Sequence, residues 1–224
     1  KIYKKISDKV YKAKAEERLA ALSHLVGGEV GADILTLLAD SPGQVDYLEA
    51  GALILSVKEE LEVLPDNTSV SSAHMLVKIL NDRGKESFSE VVSSYDSTYE
   101  KIELDFARTI KPDGTAIEVG DKNIRDVSLY MNFPLYSNAR AKIISMPEVT
   151  EGCLIEYKAR THNSKLVADK HFSLSYFLQE SEPVLYSSFK ITLPEERKVN
   201  TKILNSEYNK IGAGLTTKVI KQNG

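Results

Sequence analysis

The most reactive side chains in this sequence are Cys153, His162, Asp169 and His171, a thiol, two imidazoles and a carboxyl in one stretch. A cysteine nucleophile works as a thiolate, and a helix N-terminus or a neighbouring imidazolium usually lowers its pKa. Cys153 stands in Glu151-Gly152-Cys153-Leu154-Ile155-Glu156-Tyr157, a turn entering a strand, where the sequence supplies neither. Its expected role is that of a small, semi-apolar strand residue. His162, His171 and Asp169 match no compact zinc-ligand spacing, and His24 and His74 lie too far apart in sequence to argue anything. Glycines occur singly or as Gly27-Gly28, never in a loop ending in Lys-Ser/Thr, so no phosphate cradle is expected. The adjacent carboxylates Glu59-Glu60 and Glu195-Glu196 point to opposite faces of any strand and read as solvating charges. These patterns predict no catalytic residue, no metal site and no cofactor.

One segment offers binding chemistry. Leu129 to Arg140 crowds Tyr130, Phe133 and Tyr136 beside Asn138 and Arg140 in an irregular stretch. Aromatic faces with amides and a guanidinium suit a glycan or peptide, and such sites lie on loops held by a rigid scaffold. The competing expectation is a loop folded over one end of the domain, its aromatics completing the core and Arg140 paired to an acid.

The elements that must position these groups fall into two kinds. Ile2, Ile6, Val10, Ala13, Leu19, Leu22 and Val26 recur at helical spacing among lysines and arginine, which predicts an amphipathic helix stopped by Gly27-Gly28. A shorter helix is expected over Ala32 to Ala39, broken at Ser41-Pro42-Gly43. From Ala52 the period changes to two. Leu53, Leu55, Val57, Leu61 and Val63 share one parity, and Pro65-Asp66-Asn67 turns the chain into a second strand closed by Asn81-Asp82-Arg83-Gly84. Ile102 to Val119, turning at Lys111-Pro112-Asp113-Gly114, reads as a hairpin. Further runs sit at 139–146, 154–161, 171–179, 185–193, 199–204 and 215–220. The expectation is a mainly β chain, an antiparallel β-sandwich of many strands preceded by a short N-terminal helical segment, with 1–48 helical and 49–224 the sandwich.

Composition narrows the partners. The 224 residues are 42% hydrophobic and 27% charged, too apolar for disorder. Net charge is −3 from 29 basic and 32 acidic residues, so no basic field is available for nucleic acid. Apolar runs such as Ala52 to Leu55 fall far short of the roughly 20 residues of a membrane span, so no membrane insertion is expected. A single cysteine forbids an internal disulfide. The start at Lys1 rather than Met, and the end at Asn-Gly without helix closure, suggest a piece of a longer polypeptide.

The order of motifs carries a resemblance. Ala52 to Leu61, His74 to Gly84 (HMLVKILNDRG), Phe106 to Gly114 (FARTIKPDG), Ile124 to Ser128 (IRDVS), Tyr136 to Ile144 (YSNARAKII), Glu151 to Tyr157 (EGCLIEY) and Tyr176 to Pro194 follow one another. The set resembles the uncharacterised β-domain that precedes transglutaminase-like domains in bacterial exported proteins, over about residues 45 to 205. The resemblance implies a β-sandwich, a periplasmic or secreted location, and a papain-like Cys-His-Asp domain C-terminal to Gly224. It implies no catalytic residue here: that signature sets its cysteine at a helix start, usually beside Trp, and this chain has no Trp. The expected function is that of a non-catalytic accessory domain that positions substrate or partner for its C-terminal neighbour. The alternatives are a glycan- or peptide-binding module using the Tyr130 to Arg140 loop, and a thiol enzyme using Cys153.

Overall fold

A computed structural model of the chain describes residues 32–130, 138–165, 173–177, 180–197, 199–200 and 202. Helix α1 (Ala32–Asp40) buries Ile34 and Leu38, one turn apart on one side, and stops at Ser41 before Pro42-Gly43. The Lys78 ammonium donates to the Ser41 carbonyl (3.1 Å) and hydroxyl (2.8 Å), setting a cation at the negative end of the helix. The amphipathic helix expected before Gly27 lies outside the described residues.

Among the described residues nine strands follow: β1 (Ala52–Val63), β2 (Ser69–Ile79), β3 (Glu90–Asp96), β4 (Glu100–Ile110), β5 (Ala116–Glu118), β6 (Ile124–Ser128), β7 (Ala139–Ser145), β8 (Leu154–Asn163) and β9 (Ser187–Thr192). Local turn chemistry makes the hairpins. At β1–β2 the Asp66 carboxylate accepts from the Thr68 amide and Asn67 takes a left-handed φ of 69°. At β4–β5 Asp113 accepts from the Thr115 amide at 2.8 Å and Gly114 takes φ 87°. One sheet runs β5-β4-β8-β2-β1-β9 and the second β3-β7-β6. Ile144, Met146 and Val91 of the second sheet and its flank meet Ala52, Ile54, Val57, Val77, Ile79, Ala107, Cys153 and Ile155 between the layers, which gives the expected β-sandwich. The outer face of the large sheet forms a second core, where α1 covers Leu53, Leu55, Leu76, Ile110 and Leu154.

Four expectations change. The sandwich is not wholly antiparallel, because β9 runs parallel to β1, pairing Val57 with Ser187 through Glu62 with Thr192. The β1 residues do not share one face: a bulge between Ile54 and Ser56 turns Leu53 and Leu55 toward α1 and Val57 toward the second sheet. Asn81 to Gly84 is no simple turn, for the Asn81 side chain caps a short helix α2 (Asp82–Phe88) by accepting from the Arg83 and Gly84 amides. The 171–179 run gives no strand over 173–177, and neither do Val199, Asn200 and Lys202; residues 215–220 lie outside the described residues.

Candidate functional site

Strand parity decides which reactive groups can meet. Cys153 and Ile155 face the space between the sheets, whereas Leu154 and Glu156 face outward, and His162 follows the parity of Glu156. His162 is also nine residues along the strand, roughly 30 Å at about 3.3 Å per residue. Thiol and imidazole therefore lie on opposite faces at opposite ends. Cys153 is fully buried, and that burial pushes its thiol pKa up. His162 instead shares a hydrogen bond with Glu103 at 3.1 Å. His171 and Asp169 lie outside the described residues. Iodoacetamide should label native Cys153 slowly, with a rate that climbs only above the ordinary thiol range near pH 8.5. Fast labelling at pH 7 in the folded chain would contradict this assignment.

A buried ion pair and a partly buried histidine form a cluster that the sequence reading missed. Glu156 on β8 is fully buried on the outer face, directly across from Arg108 on β4 and diagonal to His74 on β2. Arg108 Nε donates to Glu156 Oε2 at 2.8 Å, and His74 Nε2 lies 2.9 Å from Glu156 Oε1. The Phe106 ring closes the group, with the Arg108 guanidinium 5.6 Å above its centroid and the His74 ring edge-on at 5.8 Å. Burial by itself raises the Glu156 pKa, but the His74 hydrogen bond and the charge and hydrogen bond of Arg108 outweigh it and hold the carboxyl below the usual Glu value. His74 is oriented by an acid as a general base would be, yet Cys153 lies on the other face of the sheet. The cluster fixes how β2, β4 and β8 lie together. Among the described residues no three His, Cys, Asp or Glu side chains gather in a way that could hold a metal.

The candidate binding loop is partly committed to its own scaffold. Arg140 on β7 donates through Nε to Asp126 Oδ1 at 2.7 Å and through Nη2 to the Asp126 carbonyl, while the Tyr95 hydroxyl donates to the second Asp126 oxygen at 2.6 Å. Asn138 Nδ2 donates to Thr98 Oγ1, and the Asn138 carbonyl accepts from the Ser97 amide. Tyr130 is exposed. Phe133 and Tyr136 lie outside the described residues. Nearby, a shallow cleft of about 420 Å³ lies among Thr68, Tyr99, Lys101 and His162 at the same end of the sandwich. Its polar groups are largely engaged with one another, including Lys101 with Glu103 and the Ser164 hydroxyl with the Tyr99 carbonyl.

At the opposite end a close backbone approach joins three elements. The Gly51 carbonyl accepts from the Leu80 and Asn81 amides, and the Gly51 amide donates to the buried Glu182 carboxylate at 3.0 Å. Arg83 reaches Glu182 (3.4 Å) and the Glu49 carbonyl. The motif Asn81-Asp82-Arg83-Gly84 thus ties the start of β1 to the segment leading into β9. Glu59 corrects the reading of its pair as solvating charges. Glu60 faces outward beside Lys190 (3.9 Å), but Glu59 is half-buried on the inner face, and burial together with Glu180 raises its pKa.

The described residues form a mainly β sandwich with a buried thiol on one face of the large sheet and a buried ion cluster on the other. Residues 65–220 match the family described as "Domain of Unknown Function with solved-structure structure (DUF3857)", and the chain belongs to that family. The matched span begins just after β1, although β1 lies inside the large sheet. No curated protein matches the chain. Among solved structures, the crystal structure of a "putative protease" from Parabacteroides distasonis aligns with TM-score 0.59 and 17% identity, over 65% of this chain and 29% of that one. This likeness concerns the fold. The chain spans less than a third of that protein's length. A family 3a carbohydrate-binding module with flanking linkers, from the cipA scaffoldin of Clostridium thermocellum, aligns at TM-score 0.30 and 12% identity, over 51% of this chain and 68% of that one, too low to support an argument. Among the described residues no helix is long and apolar enough to cross a membrane.

Proposed function

We propose that this chain is the non-catalytic accessory domain of a larger exported protein, and that it positions substrate or partner for a transglutaminase-like, papain-like domain C-terminal to Gly224. The observation that carries the reading is the coverage of the Parabacteroides alignment, in which the same fold occupies 29% of a longer chain described as a "putative protease". The buried, deactivated thiol and its separation from His162 and His74 support the division of labour. The order of the sequence motifs supports the transglutaminase-like neighbour and the extracytoplasmic location. Use of the Tyr130 to Arg140 loop as a glycan or peptide site is the weaker reading, because Arg140 and Asn138 already bond within the domain. The coding sequence beyond Gly224 tests the proposal: a Cys-His-Asp domain encoded there sustains it, and a frame that ends or continues into unrelated sequence removes its basis.

A further inference from the structure

Strand β9 is firmly seated on one side and unpartnered on the other. Its lead-in is bonded to β1, from the Ile54 amide to the Pro183 carbonyl, the Leu185 amide to the Ile54 carbonyl and the Val57 amide to the Tyr186 carbonyl, each 2.9 Å. The last of these sets the phase of the ladder. With Val57 level with Ser187 and Leu61 level with Ile191, the backbone groups of Ser188, Lys190 and Thr192 turn toward β1, and those of Ser187, Phe189 and Ile191 turn away from it. β9 is the last strand of its sheet, and among the described residues no backbone group bonds to that outward row.

A row of free N–H and C=O groups at a sheet edge is a template for one more strand, and edges that stay free are kept short, charged, bulged or broken by proline. The other described edges follow that rule. β5 has three residues, β6 sets Arg125 and Asp126 side by side, and β3 begins and ends on the acids Glu90 and Asp96. β9 instead runs six residues without proline or register shift, and its one charge, Lys190, lies on the outer face beside Glu60. On the inner face Tyr176 stacks on Phe189 at 4.9 Å between centroids, with its hydroxyl 2.6 Å from that of Ser187. That contact holds residues 173–177 against β9, where Leu174 and Phe177 are 52% and 75% exposed; Leu185 of the lead-in is 44% exposed. Apolar side chains left in water along one edge mark an interaction surface.

We propose that the free edge of β9 binds an extended peptide segment by adding it to the large sheet as one further strand. Backbone bonds to Ser187, Phe189 and Ile191 supply the attachment. The period of two puts alternate peptide side chains on the inner face with Phe189, Ile191 and the exposed residues of 173–177, and the intervening ones on the outer face beside Ser188 and Lys190. The occupant is therefore a segment of alternating apolar and polar residues without proline. That this segment is what a C-terminal neighbour acts on rests on the accessory-domain reading, whereas the site rests on the sheet edge alone.

The test titrates an acetylated and amidated octapeptide, Val alternating with Thr and Glu, into the 224-residue chain and follows backbone amide exchange. The Ser187, Phe189 and Ile191 amides should slow by about tenfold or more at saturation, while β5 and β6 amides stay unchanged. The same peptide N-methylated at every residue keeps its side chains but loses its donors, and should slow nothing. Ile191→Pro removes an N–H that faces away from β1, so it should weaken binding several-fold and leave the protection of Ser188 and Lys190 intact. If that variant loosens β9 from β1, those two amides lose protection and the N-methylated peptide carries the test. Outward amides that ignore the peptide, a response centred on β3 or β6, or slowing that the N-methylated peptide reproduces overturns the proposal. So does slowing on concentrating the chain without peptide, because the edge then serves a second copy. Failure here leaves the accessory-domain reading in place, and a reading frame with no domain beyond Gly224 would leave peptide binding unchanged.

Discussion

Glu156→Gln should lower the stability of the domain by about 3 to 5 kcal/mol, the usual consequence of removing one partner from a buried ion pair. Glutamine preserves the shape of the side chain but not its charge, and it turns an N–H donor toward one of two groups that need an acceptor. Only 3% of the Arg108 side chain and 14% of the His74 side chain are exposed, so water reaches neither readily. Glu118, a further acid near Arg108, lies at 3.7 Å with 60% of its side chain in solvent and is a poor substitute. Urea unfolding would show the loss as a lower midpoint with unchanged slope. The pH dependence gives an independent sign. Because the folded pKa of Glu156 is depressed, its contribution is present above the unfolded carboxyl value of about 4.3 and is lost as pH falls through the lower folded value. The gap between wild type and variant should therefore close on acidification. A gap that stays constant down to acid unfolding would mean that charge is not what the cluster uses.

Gly84→Ala should be as damaging, at about 4 kcal/mol or more, enough to prevent folding of a marginal domain. A Cβ on Gly84 would sit 2.5 Å from the Gly51 carbonyl carbon and 3.1 Å from the Ala52 nitrogen. Both are backbone atoms, so no side-chain rotation relieves the clash. The strand and helix would have to part, which loosens the Leu80 and Asn81 amides from the Gly51 carbonyl and Gly51 from Glu182. Gly120→Ala is the matched control, since nothing lies within 4 Å of its Cβ position, and its effect should stay within about 0.5 kcal/mol. Thermal unfolding of the two variants side by side decides the matter. Equal midpoints would show that the close approach relaxes at little cost.

Features written in neighbouring residues were legible in the sequence. The β4–β5 hairpin followed from alternation on either side of Lys111-Pro112-Asp113-Gly114, and the inert setting of Cys153 followed from a turn entering a strand. The β1 bulge was not legible, because one extra residue shifts parity without changing the apolar run. Strand β3, Glu-Val-Val-Ser-Ser-Tyr-Asp, was missed since it is half polar and follows the short helix that Asn81 caps. The parallel β1–β9 pair joins Val57 to Ser187, and no local pattern records a partner that distant. For the ion cluster a signal did exist, in Arg108 and Glu156 set within apolar strand runs where charged residues are rarely buried unpaired. Naming their partners needed the register of three strands, which also brings in His74. The roles of Asn138 and Arg140 depended in the same way on Thr98 and Asp126 across the sheet.

The most direct measurement of the central claim is turnover of a peptide-amide substrate, assayed separately for the isolated 224-residue chain and for the polypeptide encoded beyond Gly224. The account predicts that hydrolysis or acyl transfer belongs entirely to the C-terminal part, with the 224-residue chain inactive at every pH tested. Turnover by the isolated chain, abolished by alkylation of Cys153, would contradict it.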